Sequence, residues 1–248
     1  MALVHSPRIV TDNLILYLDA ANTKSYPGTG AVWNDISISG SVNNGTIDGA
    51  TFNTNVFSFD GTNDDVEITD TESGGTGGGL NTYDLLSGSN NYSISLWFQT
   101  TTFPANTSWG ISPVLFKAGQ RAIYILHGDS TAVDKLAFHG NWASGGWSYR
   151  VQSNTLLVNT WYNICFTYNA STGFVCYQNG SSVDTDGTDS ANRYYNSNSY
   201  IGRVSDADSA TSTRYWNGKM AIFSIYEETL TSSEVKQNFN AQKGRFGL

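Results

Sequence analysis

The feature that most constrains this chain is an apolar/polar alternation of period two, repeated in short runs along its length. Over residues 92–99, Tyr92, Ile94, Leu96 and Phe98 share one side while Ser93, Ser95 and Gln99 face away. A strand puts successive side chains on opposite faces, so the run predicts a strand with one apolar face. Residues 161–168 likewise put Ile164, Phe166 and Tyr168 on one side. Residues 219–226 set Met220, Ile222 and Ser224 against Ala221, Phe223 and Ile225, apolar on both sides as in a central strand. Further strands are predicted over 14–18, 56–59, 65–68, 114–117, 122–127, 135–139, 148–152, 174–178 and 200–204. Asn44-Gly45, Asp48-Gly49, Asp60-Gly61, Asn179-Gly180 and Asn217-Gly218 supply turn chemistry between them. A dozen short strands without alternating helices predict an antiparallel two-sheet sandwich in one domain, residues 1–248, with a core over about 14–240.

Composition removes the competing classes. Only 14% of residues are charged, aromatics reach 13%, and the formal net charge is -8. Disordered chains have the reverse balance. Nucleic-acid binding rests on clustered Lys and Arg, which are missing, so no such partner is expected. No apolar run approaches the roughly 20 residues that span a bilayer, so no membrane insertion is expected. The first eight residues have neither a basic region nor a long apolar one, so no secretory signal is expected.

One helix is predicted near the C-terminus. Thr231-Ser232-Ser233-Glu234 reads as a capping box, Leu230 and Val235 as its hydrophobic staple, and Gly244 as the residue just past its end. Val235 and Phe239 form a narrow apolar stripe that docks the helix on the sandwich.

Catalytic patterns are weak. Paired carboxylates on one strand need even spacing, and Glu67 and Glu72 are five residues apart. Glu227 and Glu228 are adjacent and also face opposite ways. His5, His127 and His139 show no metalloprotease spacing, and no Gly-x-Ser-x-Gly elbow is present. The glycine-rich run 73–79 lacks the Lys-Ser/Thr ending of a phosphate loop and reads as a surface loop. The chain is therefore expected not to be an enzyme. Cys165 and Cys176 flank a turn and would lie nearly opposite in a hairpin, as a cross-strand disulfide or as two buried thiols.

Several of these segments fit one pattern. Phe57-Ser58-Phe59-Asp60-Gly61-Thr62-Asn63-Asp64-Asp65-Val66 resembles a strand–turn–strand motif of the concanavalin A-like lectin/glucanase superfamily, laminin G-like branch. Residues 92–98, the hairpin of 161–168 with 176–180, Ile201-Gly202-Arg203 and the stretch 216–235 resemble its later motifs in the same order. This resemblance implies a jelly-roll sandwich with a short C-terminal helix. The ends, residues 13–28 and 235–248, are similar to those of laminin G-like proteins in tailed phages, particularly marine and cyanobacterial ones.

That likeness implies a non-enzymatic virion structural protein: a capsid decoration, neck protein or tail-fibre appendage. It would be made in the host cytoplasm and carried on the particle in multiple copies or as a homo-oligomer, contacting capsid, neck or tail subunits. The alternative it implies is an adhesin for a host-surface glycan. Two aromatic clusters are the candidate glycan- or partner-binding residues: Asn141, Trp142, Trp147, Tyr149 and Arg150, and Arg193, Tyr194 and Tyr195. Family members hold structural calcium at the Asp-Gly turn, which implies Asp60, Asn63, Asp64 and Asp65 as ligands, although Ala221 stands where a late-strand acid is expected. Without a cation, Asp60 and Asn63 would simply build the turn.

Overall fold

The computed structural model describes residues 8–37, 43–68, 91–103, 114–118, 121–126, 134–142, 146–188, 199–203 and 215–248. These form two packed antiparallel sheets and one C-terminal helix. Sheet I runs, in spatial order, β14 (Ser181–Asp186), β13 (Gly173–Gln178), β12 (Tyr162–Asn169), β7 (Tyr92–Thr100), β16 (Asn217–Tyr226), β5 (Val56–Asp60) and β4 (Thr51–Asn53). β1 (Leu14–Asp19) pairs with the second half of β16. Sheet II runs β11 (Gly146–Gln152), β10 (Lys135–Trp142), β9 (Arg121–Leu126), β8 (Val114–Ala118), β15 (Ser199–Ile201), β6 (Asp65–Ile68), β3 (Gly45–Asp48) and β2 (Val32–Trp33).

The core lies between the sheets. Leu16, Phe57, Ile94, Phe98, Ile164 and Phe223 come down from sheet I onto Val66, Phe116, Ile123 and Phe138 of sheet II. The predicted face of residues 92, 94, 96 and 98 is therefore the core face. Yet every residue of β7 is buried, the serines included. The other face of sheet I is covered by α1 (Ser232–Gln242) and a 3-10 turn (Lys243–Phe246). Small residues let the helix approach closely: Ser93, Ser95, Ala221 and Ser224 are all buried there. Their polar groups are paired, since Ser93 Oγ donates to the Glu228 carbonyl at 2.7 Å and accepts from Leu230 N at 2.9 Å.

The cap of α1 forms as its sequence predicts. Thr231 Oγ1 accepts from Glu234 N at 3.3 Å, and the Glu234 carboxylate accepts from Thr231 N at 2.8 Å. The stop differs. Gly244 lies inside the 3-10 turn, and the left-handed residue that ends the segment is Gly247, φ 74°.

β16 also departs from simple alternation. A register shift between Met220 and Ile222 puts Met220, Phe223 and Ile225 in the core and Ala221 and Ile222 together under the helix. A bulge adds one residue to one strand, so the phase of the pattern changes across it. Asn217-Gly218 is consequently not a turn but the first two residues of β16. There a glycine is required by close approach, because a Cβ on Gly218 would meet the Trp216 ring and lie 2.5 Å from the Gln99 carbonyl oxygen.

The cysteines sit one residue out of step. Cys165 pairs with Tyr177 and Phe166 with Cys176, so the thiols point to opposite faces of sheet I. Cys165 packs under the helix and Cys176 in the core. Both are free and buried, and burial pushes the Cys165 thiol up to about 12. Thiols on opposite faces of one sheet cannot meet disulfide geometry.

Three outcomes follow from this packing. Gly218→Ala should lower unfolding free energy by about 2–3 kcal/mol in urea titrations. Gly244→Ala, with open space around the added carbon, should change it by less than about 1 kcal/mol. A thiol reagent should label neither cysteine in the native protein and both after denaturation, and reductant should leave the melting temperature unchanged.

Candidate functional site

Sheet II carries Tyr149, one of the sequence-predicted residues, on its outer face. Strand register sets Val32, Thr46, Glu67, Tyr200, Lys117, Ala122, His139 and Tyr149 opposite one another in a single row across all of its strands. Phe116, Val66 and Phe138, one residue out of phase, point into the core, so this row belongs to the outer face. Ala122, Tyr124, Ala137 and His139 are nonetheless buried, and Tyr149 packs half-buried against them. The Tyr124 and His139 rings meet edge-on at 5.0 Å.

The β10–β11 hairpin holds the first aromatic cluster. Asn141 pairs with Trp147 and Trp142 with Gly146 in the strand register, and the side chains of Asn141, Trp142 and Trp147 lie outside those described. Arg150 leaves this face. Its Nη1 donates to Asp186 Oδ2 at 3.4 Å, tying β11 to β14 across the side of the sandwich. Gln152 N donates to Asp184 Oδ2 at 2.8 Å along the same seam. Arg193, Tyr194 and Tyr195 lie outside the described residues.

The acids of the turn after β5 have separate partners. Asp60 Oδ1 accepts from Thr62 N at 2.7 Å and Asn63 N at 3.3 Å, which is turn construction. Asp64 Oδ2 accepts from Asp60 N at 2.9 Å, and Asp65 pairs with Arg203 Nε at 2.8 Å. The Arg203 guanidinium in turn lies 3.9 Å over the Tyr200 ring. Among the described residues no three His, Cys, Asp or Glu side chains gather as a metal site. Burial holds the Asp64 carboxyl above the usual carboxylate range; the Asp60 N–H bond partly offsets this, and repulsion from Asp60 and Asp48 adds to it.

Sheet I carries a concavity that sequence patterns do not mark. An open groove of about 450 Å³ lies on its outer face beside the helix. Its floor is Ser58 of β5 and Lys219 of β16, which face each other in register. One wall is the β4–β5 hairpin, with Thr54 and Asn55; the other is Trp161, Arg245 and Phe246. The hairpin is a two-residue turn in which Asn53 pairs with Val56 while Thr54 (φ 50°) and Asn55 (φ 69°) are both left-handed. Such turns favour Asn-Gly, and a β-branched residue at positive φ is strained. The absence of a glycine is why the turn was not legible. Opposite, the Trp161 and Phe246 rings lie 4.9 Å apart, and Arg245 Nη1 donates to both oxygens of Asp19 at 2.9 Å.

A laminin G family model, described as concanavalin A-like lectin/glucanases superfamily, matches residues 60–236. The chain belongs to this superfamily. Solved structures agree on the fold. A Trypanosoma rangeli sialidase in complex with 2,3-difluorosialic acid superposes with a TM-score of 0.64 at 15% identity, over 93% of this chain and 33% of that one. The receptor-binding domain of botulinum neurotoxin C/D mosaic serotype gives 0.64 at 14% identity, over 94% of this chain and 52% of that one. The chain thus spans about a third of the sialidase and half of the neurotoxin domain. At such identity the likeness is one of fold alone. Comparison with curated proteins gives no sequence match. The superfamily match begins at Asp60, so β1 to β4, and with them one wall of the groove, lie before it.

Asp64 offers a test of the buried turn. A carboxyl whose pKa is raised by folding favours the folded state at low pH, and that contribution is lost as pH rises through the raised value. Asp64→Asn keeps an acceptor for Asp60 N without the charge. In urea titrations the variant should fare better relative to the unmodified protein at pH 7.5 than at pH 4. A difference independent of pH would remove the assignment.

Proposed function

We propose that this superfamily member is a non-enzymatic structural component of a tailed-phage virion, a capsid decoration, neck protein or tail-fibre appendage, that works by contacting other virion subunits. The likeness of its two ends to phage laminin G-like proteins supports the setting. The observation that carries the non-catalytic part is how most of the described acids are employed. Asp19, Asp65 and Asp186 are held by Arg245, Arg203 and Arg150. Asp35, Asp60, Asp64 and Asp184 accept backbone N–H groups, and Glu234 caps α1. Glycoside cleavage needs two carboxyl groups free to donate and accept protons across a bond, about 5–5.5 Å apart in retaining enzymes. Acids committed to scaffolding favour a contact role.

The residues assigned to this role are the two aromatic clusters of the sequence, Asn141, Trp142, Trp147, Tyr149 and Arg150, and Arg193, Tyr194 and Tyr195. Trp, Tyr and Arg are the usual anchors of protein interfaces. The alternative is a glycan adhesin, since Asn141, Trp142, Trp147 and Tyr149 are residue types that stack on sugars and hydrogen-bond their hydroxyls.

The chain should co-sediment with purified particles of the phage that encodes it, and antibodies to it should decorate them in immunogold micrographs. Particles devoid of it would overturn the virion role. Cleavage of a glucan that disappears in Glu67→Gln would overturn the non-enzymatic part. Binding on a host-glycan array that Trp147→Ala abolishes would favour the adhesin.

A further inference from the structure

We propose that Asp186-Gly187, at the end of β14, is a site of spontaneous covalent modification. Asp186 closes to a succinimide and reopens as isoaspartate, which undoes the seam between β14 and β11. The inference does not rest on the virion role.

The chemistry needs two things in one place. The backbone nitrogen that follows an Asp or Asn must reach the side-chain Cγ, and the residue carrying that nitrogen must have little bulk, which favours glycine. Six Asn-Gly or Asp-Gly pairs occur in the chain: Asn44-Gly45, Asp48-Gly49, Asp60-Gly61, Asn179-Gly180, Asp186-Gly187 and Asn217-Gly218. In five of them the side chain or the glycine is committed elsewhere. Asn44 Oδ1 accepts from Asp35 N at 2.8 Å, Asp60 Oδ1 from Thr62 N at 2.7 Å and Asn179 Oδ1 from Asn163 N at 3.0 Å. Asn217 Nδ2 donates to the Asp60 carbonyl at 3.0 Å. Gly49, left-handed at φ 74°, is held against Asp64, where a Cβ would collide with Oδ1. Asp186 differs. Gly187 N donates to Asp186 Oδ1 at 2.7 Å, so the nitrogen is already in contact with the carboxyl group it must attack.

Geometry without glycine is not enough, as Asp184 shows. Thr185 N donates to Asp184 Oδ1 at 2.9 Å in the same way, but Thr185 is β-branched and sits inside β14 opposite Val175. Asp186 is the last residue of β14, and Gly187 beyond it is exposed. Packing asks for no glycine at 187: a Cβ there would meet nothing within 4 Å, and the residue is not left-handed. Electrostatics oppose the step, but weakly. Arg150 Nη1 donates to Asp186 Oδ2 and favours the carboxylate, whereas ring closure needs the protonated acid. That bond is long, 3.4 Å, and the Asp186 side chain is 37% exposed, so solvent screens it.

In the step, the Gly187 nitrogen attacks Cγ of the protonated Asp186 carboxyl. A C–N bond forms, and the proton of the nitrogen leaves with the carboxyl hydroxyl as one water. Water then adds back at either ring carbonyl. Addition at Cγ restores aspartate. Addition at the main-chain carbonyl cleaves its bond to Gly187 N, so the chain now runs through Cγ with one extra backbone carbon, and the former main-chain carbon becomes the carboxylate. The group that accepted from Arg150 has become an amide. Gly173 on the neighbouring strand leaves no slack, because a Cβ there would collide with the Asp186 carbonyl oxygen and the Gly187 backbone. A backbone longer by one carbon cannot keep that approach. The Phe174–Asp186 pair that ends β14 and the Arg150 bond to β11 are lost together.

The test ages the whole chain at physiological temperature and neutral pH. Isoaspartate is mapped by electron-transfer fragmentation of its peptides and by methylation with protein isoaspartyl methyltransferase. In the folded chain it should accumulate first at residue 186. In the urea-unfolded chain the order should reverse, with the intrinsically more reactive Asn-Gly pairs converting first. Gly187→Ala should slow conversion at residue 186 at least tenfold without moving the unfolding midpoint, since the added methyl has open space. Amide hydrogens of residues 181–186 should exchange faster in aged than in fresh protein, and aged Gly187→Ala should show no such change. Isoaspartate first at another pair in the folded chain, none at residue 186, the same rate in Gly187→Ala, or unchanged exchange in converted protein would each overturn the proposal.

Discussion

The burial of Trp97 organises the whole outer side of sheet I. β7 is the strand between β12 and β16, buried on both faces, and its outward face presents an indole between Ser95 and Gln99. A tryptophan takes roughly 150–250 Å² of surface out of water only if something large covers it. The C-terminal segment does so from two directions. Phe246 stacks on the indole at 4.0 Å and Phe239 lies parallel at 5.7 Å, while the indole N–H donates to Gln242 Oε1 at 2.7 Å. A helix with so few apolar residues of its own is held as much by this contact as by its stripe.

From Gln242 a polar chain runs on across the seam. Its Nε2 donates to the Tyr17 hydroxyl at 3.3 Å, that hydroxyl donates to Asp19 at 3.4 Å, and Asp19 receives Arg245. Burial, with Asp19 beside it, holds the Tyr17 hydroxyl above its ordinary pKa and so protonated, able to donate. The N-terminal stretch is caught by the same helix, as Val10 N donates to Asn238 Oδ1 at 2.7 Å and Tyr226 Oη donates to the Val10 carbonyl at 3.1 Å. The two ends of the chain thus close the sandwich together. Contacts this distant in sequence raise the contact order of the fold, and the groove, whose wall is Arg245 and Phe246, exists only where the C-terminal segment is docked.

How much of this was legible depended on how strongly local chemistry marked each piece. Strands facing the core announced themselves, because their alternation is set by the core itself: residues 65–68 have the same bounds in sequence and structure. The capping box at Thr231 was equally plain. The strands that passed unnoticed are short or polar. Ser181–Asp186 carries Val183 as its only apolar residue because it lies at the edge of sheet I, and Gly45–Asp48 has little to alternate. Asn-Gly misled at 217–218 because close packing against Trp216 demands glycine just as a turn does. The Cys165–Cys176 offset turns on a single residue of register, which composition cannot reveal. The groove was invisible for a stronger reason: Ser58, Lys219 and Arg245 have nothing in common in sequence and meet only through strand order and the docked C-terminus.

The fold shared with the sialidase and the neurotoxin domain says little about what this surface recognises, since a sandwich hosts many chemistries. What distinguishes this chain is the unequal treatment of its charges. Most of the described acids are tied into turns, caps and ion pairs, where they hold β11 to β14, β6 to Arg203 and β1 to the C-terminus. Ion pairs like these fix geometry more than they add stability, because desolvation offsets much of their attraction. Lys219 has no such structural duty. On an acidic protein, Lys219 is a cation without an ion pair among the described residues, set in a groove beside an anchored guanidinium and an aromatic wall.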